Sequence, residues 1–198
     1  MADDRTTALY DWHRERGARM VSFAGWSLPI QYPTGILAEH KACREQAALF
    51  DVSHMGTVAI PGDTDAAARA LEGVLCGDLQ RQRPGLAKYT LLLNADGGIV
   101  DDLMAMRHDA GWYLVVNASR TAEDLAALEA ALPAAHRPVL LQERSLLALQ
   151  GPAAVDVLTA QLPEASEIRF RESREVFIDG QPGRIARIGY TGEDGFEI

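Results

Sequence analysis

The stretch from Leu91 to Leu103, LLLNADGGIVDDL, limits the possible folds of this chain more than any other segment. Two apolar runs flank the polar and glycine-rich sequence NADGG at residues 94–98. Asparagine, aspartate and glycine are the residues that tight reversals of the backbone require. The segment therefore predicts an antiparallel β-hairpin whose second strand continues to Met106.

The rest of the chain alternates between short strand patterns and helical patterns. Residues 36–50 carry apolar side chains close to a 3.6-residue period and predict one amphipathic helix. Residues 175–188 predict a second hairpin around Gly180 and Gly183. Frequent hairpins between helices indicate an α+β fold with mainly antiparallel sheets and interleaved helices, and they argue against a doubly wound parallel sheet.

The paired acids Asp101 and Asp102 lie in the second strand of the first hairpin. Neighbouring residues of a strand point to opposite faces, so both acids cannot face solvent if the strand covers a core. A buried carboxylate is costly unless it is paired or functional, and one of the two is therefore a candidate functional group. The alternative is a frayed strand start at which both acids are hydrated.

The glycine-rich segment, Gly189–Ile198, reads GYTGEDGFEI and combines glycines, acids and two aromatic residues. Glycine allows the backbone to approach a ligand closely, and Tyr190 offers a flat face and a hydroxyl. The carboxylates are hydrogen-bond acceptors, so the mixture suits a polar, flat heterocycle. The alternative is a glycine-rich hairpin without a ligand.

Composition and absent motifs exclude several classes of function. The 198 residues include 28 acids and 19 bases. The resulting net charge of −9 argues against sequence-independent binding to the phosphate backbone of nucleic acids. No apolar run approaches the ~20 residues of a membrane span, and the acidic start resembles no leader peptide. P-loop, dinucleotide-binding and nucleophile-elbow motifs are missing, and the histidines and acids form no metal-ligand pattern.

The two cysteines, Cys43 and Cys76, lie far apart in the sequence and show no CxxC spacing. We expect them to be free thiols in a reducing compartment, and a bacterial cytoplasm fits this expectation.

Six segments occur in order along the chain: GARMVSFAGWSLPIQY, AALFDVSHMG, LLLNADGGIVDDL, LVVNASR, ALQGP and GYTGEDGFEI. Together they closely resemble the T-protein of the glycine cleavage system, an aminomethyltransferase, and the resemblance extends from Gly17 to Ile198. It implies the folate-binding fold of that family. It also implies transfer of a methylene group from the aminomethyl-lipoyl arm of the H-protein to tetrahydrofolate, with release of ammonia.

The resemblance also assigns roles to individual residues. Asp102 corresponds to the catalytic aspartate, and we expect it to be the inward member of the acid pair. Glu197 corresponds to the carboxylate that recognises the pterin. The tetrahydrofolate contacts that the resemblance implies are Tyr89, Asp102, Asn117, Tyr190 and Glu197.

The resemblance further implies two intertwined α+β subdomains, at about 1–50 with 141–198 and at about 51–140. The later part of the family's chains, with a barrel-like domain and an arginine contact to folate, is expected to be absent from these 198 residues. Met106 replaces a residue that is often aromatic in relatives. Two alternatives within this fold stay open, namely a tetrahydrofolate-dependent demethylase and a non-catalytic folate-binding protein.

Overall fold

A computed structural model describes residues 4–198 of the chain. The helices of this range are α1 Tyr10–Glu15, α2 Ile36–Glu45, α3 Thr64–Leu71, α4 Thr121–Ala131 and α5 Ala154–Thr159. The strands are β1 Arg5–Thr6, β2 Arg19–Phe23, β3 Trp26–Gln31, β4 Ala48–Asp51, β5 Gly56–Pro61, β6 Ala87–Leu93, β7 Ile99–His108, β8 Gly111–Val116, β9 Val139–Leu140, β10 Leu147–Gln150, β11 Ser173–Ile178, β12 Gln181–Ala186 and β13 Gly195–Glu197.

The chain divides into two compact units. The terminal unit combines the residues up to His54 with Ser145–Ile198, and the central unit is Met55–Arg144. Each β-sheet lies within one unit. None of the described helices has the length and hydropathy that a bilayer crossing needs.

The central unit is built on a five-stranded sheet in the order β6-β7-β8-β5-β9. All of its strand pairs are antiparallel, and the consecutive strands β6, β7 and β8 are joined by short turns. Helices α3 and α4 contribute Leu71 and Leu128 to a buried core that also includes Leu103 and Leu114 of the sheet. Helix α3 begins where Asp63 accepts hydrogen bonds from two backbone amides of its first turn.

The terminal unit contains a five-stranded antiparallel sheet in the order β11-β12-β13-β10-β4. A second, three-stranded sheet has the order β1-β3-β2. The core beneath the larger sheet includes Phe196 of β13, Ile185 of β12 and Leu158 of α5. The glycine-rich segment thus ends in a central strand of this sheet.

The predicted α+β class is confirmed. Antiparallel pairing dominates, and within residues 4–198 only β1 and β3 pair in parallel. The hairpin predicted at Leu91–Leu103 is β6 and β7, with the turn at residues 94–98.

The helix predicted over residues 36–50 is too long. Helix α2 ends at Glu45, and Ala48–Asp51 form the edge strand β4, which pairs antiparallel with β10. The apolar residues keep a helical period into this strand. The backbone hydrogen bonds with β10 nevertheless outweigh the local preference of residues 48–51 for a helix.

Candidate functional site

The acid pair lies on opposite faces of β7, as a strand requires. Asp101 is 7% exposed and points to the face that carries the buried Leu103 and Ala105. Asp102 is partly exposed and shares its face with Met104. The expectation that Asp102 is the inward acid is therefore wrong. The side chains of Asp101 and Leu103 lie on the face that α3 and α4 cover, whereas Asp102 stays accessible.

Asn117, the first residue after β8, holds both acids. Its backbone amide donates to Asp101 Oδ2 at 3.1 Å, and its side-chain Nδ2 donates to Asp101 Oδ1 at 2.9 Å. The same Nδ2 donates to the backbone oxygen of Asp102 at 3.0 Å and to Asp102 Oδ1 at 3.2 Å. Asn117 thereby links a buried and an accessible carboxylate through one amide group.

Tyr89 lies on β6 beside the accessible acid. It pairs with Met104, and Leu91 two residues later pairs with Asp102, so Tyr89 is a diagonal neighbour of Asp102 on the sheet. The tyrosine ring is half exposed. Desolvation, followed by the charge and a hydrogen bond of Asp102, raises the pKa of the Tyr89 hydroxyl. The structure thus brings Tyr89, Asp102 and Asn117 together in the central unit.

Asp124, in the first turn of α4, is a functional candidate that the sequence analysis did not identify. It is fully buried and has no hydrogen-bond donor from the described part of the chain. Burial, followed by a hydrogen bond with Asp101 and the charge of that residue, raises the pKa of Asp124 to about 8. Asp124 precedes the buried Leu128 and Leu132 by four and eight residues, and this core-facing position was the signal that could have identified it.

Met106 of β7 is buried. It pairs with Ala87 of β6 and Tyr113 of β8. Alternation along β7 places its side chain on the same face as Asp102 and Met104.

Glu197 of β13 lies in the terminal unit. It is 7% exposed, and its Oε2 has no hydrogen-bond partner among the described residues. Burial raises the pKa of Glu197 to about 7. Its backbone pairs with Ala148 of β10 and Ala186 of β12, so the carboxylate is held by a strand with neighbours on both sides. A fixed, desolvated carboxylate without a protein donor is suited to accept hydrogen bonds from a ligand.

Gln150 supports the glycine-rich segment from β10, and the sequence analysis gave it no role. Its side chain is fully buried. Nε2 donates to the backbone oxygen of Ile188 at 3.0 Å and of Phe196 at 3.4 Å, while Oε1 accepts from the Thr191 hydroxyl at 2.8 Å. A Cβ added at Gly189 would collide with this amide, which is why glycine is needed there.

Tyr190 lies in the loop between β12 and β13, and its side chain is 61% exposed. The loop is held by Arg187, whose Nε donates to Asp194 Oδ1 at 2.9 Å. The structure therefore places Tyr190 and Glu197 in the terminal unit. No group of three or more histidine, cysteine, aspartate or glutamate side chains within residues 4–198 is arranged to hold a metal ion.

We expect Gln150→Leu to destabilise the chain by about 1–3 kcal/mol, because it leaves the buried Ile188 carbonyl and the partly buried Thr191 hydroxyl without their partner. Urea unfolding measures this change in the free energy of unfolding. The matched control is Gln161→Leu at an exposed position of the same unit. Equal effects of the two substitutions would show that Gln150 does not support the segment.

Comparison with known proteins gives the family. The family model described as "GCVT N-terminal domain" matches residues 9–198. The chain belongs to this family. The membership confirms the predicted resemblance to the T-protein.

Individual members of the GCVT family show how far the likeness extends. The chain is 43% identical over 202 residues to an aminomethyltransferase of Chlorobium phaeobacteroides and 44% identical over 200 residues to one of Rubrobacter xylanophilus. Each alignment covers 98% of this chain, but only 54% and 52% of those relatives. The chain therefore spans about half the length of these curated relatives.

The likeness extends to a solved structure of the family. The crystal structure of glycine cleavage system aminomethyltransferase T from Bartonella henselae matches with a TM-score of 0.89 at 39% sequence identity. The match covers 98% of this chain and 52% of that one. At this identity and TM-score, the α+β fold described above is the fold of the corresponding part of that enzyme.

Proposed function

We propose that this chain provides folate-binding and catalytic residues of a tetrahydrofolate-dependent aminomethyltransferase of the glycine cleavage system. The observation that carries the proposal is the buried carboxylate of Glu197, whose Oε2 has no partner among residues 4–198. Membership of the GCVT family and the names of the relatives supply the reaction.

Glu197 fits the amino-pyrimidinone edge of a reduced pterin. That edge presents two N–H donors side by side, and a carboxylate can accept both of them. The raised pKa of Glu197, about 7, reflects burial without a donor. A pterin would supply the missing donors and favour the charged form. Tyr190, which is largely exposed in the adjacent loop, offers an aromatic face and a hydroxyl for a contact with the same substrate.

Asp102 is the proposed catalytic residue. It is the accessible member of the acid pair, and Asn117 and Tyr89 fix its surroundings. A held carboxylate can orient and polarise the attacking nitrogen of tetrahydrofolate, and it can stabilise an iminium-like carbon as sulfur or ammonia departs. Asn117 and Tyr89 are proposed as further contacts of the folate.

The proposed reaction balances without an oxidant or a metal. The carbon–sulfur bond of the aminomethylated lipoyl arm and the bond from carbon to its amine break. Two carbon–nitrogen bonds form to tetrahydrofolate, which gives 5,10-methylenetetrahydrofolate. The two protons lost from the folate nitrogens leave with ammonia and with the thiol of the dihydrolipoyl arm. The partner in this proposal is the lipoylated H-protein.

We propose a bacterial cytoplasm as the location. Both cysteines are free: Cys43 is buried, and Cys76 is exposed. An exposed free thiol persists most readily in a reducing compartment.

Product analysis tests the proposed function. The natural polypeptide that carries this sequence is mixed with aminomethylated H-protein and tetrahydrofolate, and methylenetetrahydrofolate and ammonia are quantified. We expect both products in equal amounts, and none when tetrahydrofolate is omitted. Formation of 5-methyltetrahydrofolate from a methyl donor would instead show a demethylase. Folate binding without any transfer would show a non-catalytic binder.

A further inference from the structure

A buried acid lies behind the accessible one. Asp124 is fully enclosed on the helix-covered side of the central sheet, and no substrate could reach it without opening the core. Neither of its carboxyl oxygens has a donor from the described residues, and the side chain that acts on it most strongly is the carboxyl of Asp101. Two facing carboxylates repel each other, and the arrangement is satisfied when one of them carries a proton.

Asp101 connects the buried Asp124 with the residues of the candidate site. Both of its oxygens accept hydrogen bonds from Asn117, at 3.1 Å from the backbone amide and at 2.9 Å from Nδ2. The same Nδ2 reaches Asp102 Oδ1 at 3.2 Å. Asn117 therefore connects Asp101, the acid that acts on the buried Asp124, to the accessible carboxylate of Asp102.

We propose that Asp124 is a positioning residue that acts as a protonated acid, donating a hydrogen bond to Asp101 and so holding Asn117 and Asp102 in their catalytic arrangement. This inference rests on the proposed function, because it gives Asp102 the role in transfer. Asp124 itself touches no substrate. The position of the Asn117 amide decides the direction of its bond to Asp102, and small displacements of a reacting group are costly in rate.

The charges around Asp124 give the proposal a pH dependence. Asp101 faces it from β7, and Arg120 and Glu123 act on it from α4 itself. The raised pKa of Asp124, about 8, results first from burial and then from Asp101, while Arg120 opposes the shift. The acid is protonated below that pH and charged above it. Above about pH 8, repulsion between the two carboxylates should displace Asp101 and release Asn117.

Two substitutions separate this role from simple packing. Asp124→Asn keeps the shape and a donor towards Asp101 but cannot ionise. Asp124→Leu removes the donor. Glu129→Gln, at an exposed position of the same helix, is the matched control. The first readout is the side-chain amide resonance of Asn117 in ¹⁵N-labelled chain without substrate, followed from about pH 6 to pH 9. The second readout is kcat for methylene transfer by the natural polypeptide over the same range.

We expect the Asn117 resonance to titrate near pH 8 in the wild type and in the control, and to stay constant in Asp124→Asn. The decline of kcat above about pH 8 should disappear in Asp124→Asn, whose kcat at pH 7 stays near wild type. Asp124→Leu should lose about 10²-fold in kcat at pH 7.

An Asn117 resonance that does not move near pH 8 would overturn the proposal. The proposal would also be overturned if the decline of kcat above about pH 8 persisted in Asp124→Asn. The same holds if Asp124→Asn lost as much kcat at pH 7 as Asp124→Leu. A wild-type polypeptide that catalyses no transfer at any pH would instead refute the proposed function and with it the catalytic part of the inference, while the resonance would still report the link between Asp124 and Asn117.

Discussion

Asp102→Asn should reduce methylene transfer by about 10²–10³-fold, the usual loss when one positioned electrostatic group is removed. The substitution keeps the volume and the strand position but removes the charge that is proposed to act on the attacking nitrogen. The Kd for tetrahydrofolate should change much less, because other residues provide the pterin contact. Single-turnover kinetics with aminomethylated H-protein give the rate, and calorimetric titration gives the Kd.

Two other aspartates make the comparison specific. Asp96 lies exposed in the turn of the same hairpin, and Asp96→Asn should leave the rate unchanged. Asp101→Asn is expected to be damaging as well, because its NH2 group would replace one of the two oxygens that accept hydrogen bonds from Asn117. That damage should appear as lower stability on urea unfolding, whereas Asp102→Asn should unfold like the wild type. An active Asp102→Asn variant would remove Asp102 from the catalytic role.

Glu197→Gln should weaken tetrahydrofolate binding by about 1.5–3 kcal/mol, which corresponds to about 10- to 150-fold in Kd. The variant keeps one acceptor but presents an amide nitrogen to a donor of the pterin edge. Glu164→Gln, at an exposed position of the same unit, is the control and should bind like the wild type. Equal affinities of the two variants would place the pterin contact elsewhere.

The raised pKa of Glu197 adds a pH dependence to this prediction. Tetrahydrofolate binding is proposed to need the charged form of Glu197, and the pKa of Glu197 in the free chain is about 7. The affinity for tetrahydrofolate should therefore decrease below about pH 7, with a limiting slope of about tenfold per pH unit. Above that pH the affinity should level off. In Glu197→Gln the profile should be flat across this range. Calorimetric titrations at several pH values measure the affinity for tetrahydrofolate. The same pH dependence in the wild type and in Glu197→Gln would contradict the assignment of the pterin contact to Glu197.

The sequence predicted the parts of the fold that local chemistry determines. The turn residues at 94–98 specify the hairpin of β6 and β7 without help from the rest of the molecule. Asn117 was identified through the resemblance to the T-protein, and the structure places it directly after the apolar strand β8. Conversely, residues 46–51 depend on a distant partner, since β4 exists through its pairing with β10, almost 100 residues later.

The faces of the acid pair could not be deduced locally. Alternation shows that Asp101 and Asp102 point in opposite directions, but which face is covered depends on where α3 and α4 pack. Asp124 and Gln150 were overlooked for a similar reason. Each is a common polar residue in an ordinary helix or strand, and its importance appears only through buried contacts with residues distant in sequence, such as Asp101 for Asp124 and Ile188 for Gln150.

The division of roles between Asp102 and Glu197 is the central claim, and a crossed comparison of their variants tests it most directly. The single-turnover rate at saturating tetrahydrofolate and the Kd for tetrahydrofolate are measured for Asp102→Asn and Glu197→Gln of the natural polypeptide. We predict that Asp102→Asn lowers the rate and keeps the Kd near wild type, whereas Glu197→Gln raises the Kd and keeps the rate near wild type. If both substitutions changed the same parameter, or if their effects were exchanged, the assignment of transfer to Asp102 and of pterin binding to Glu197 would be contradicted.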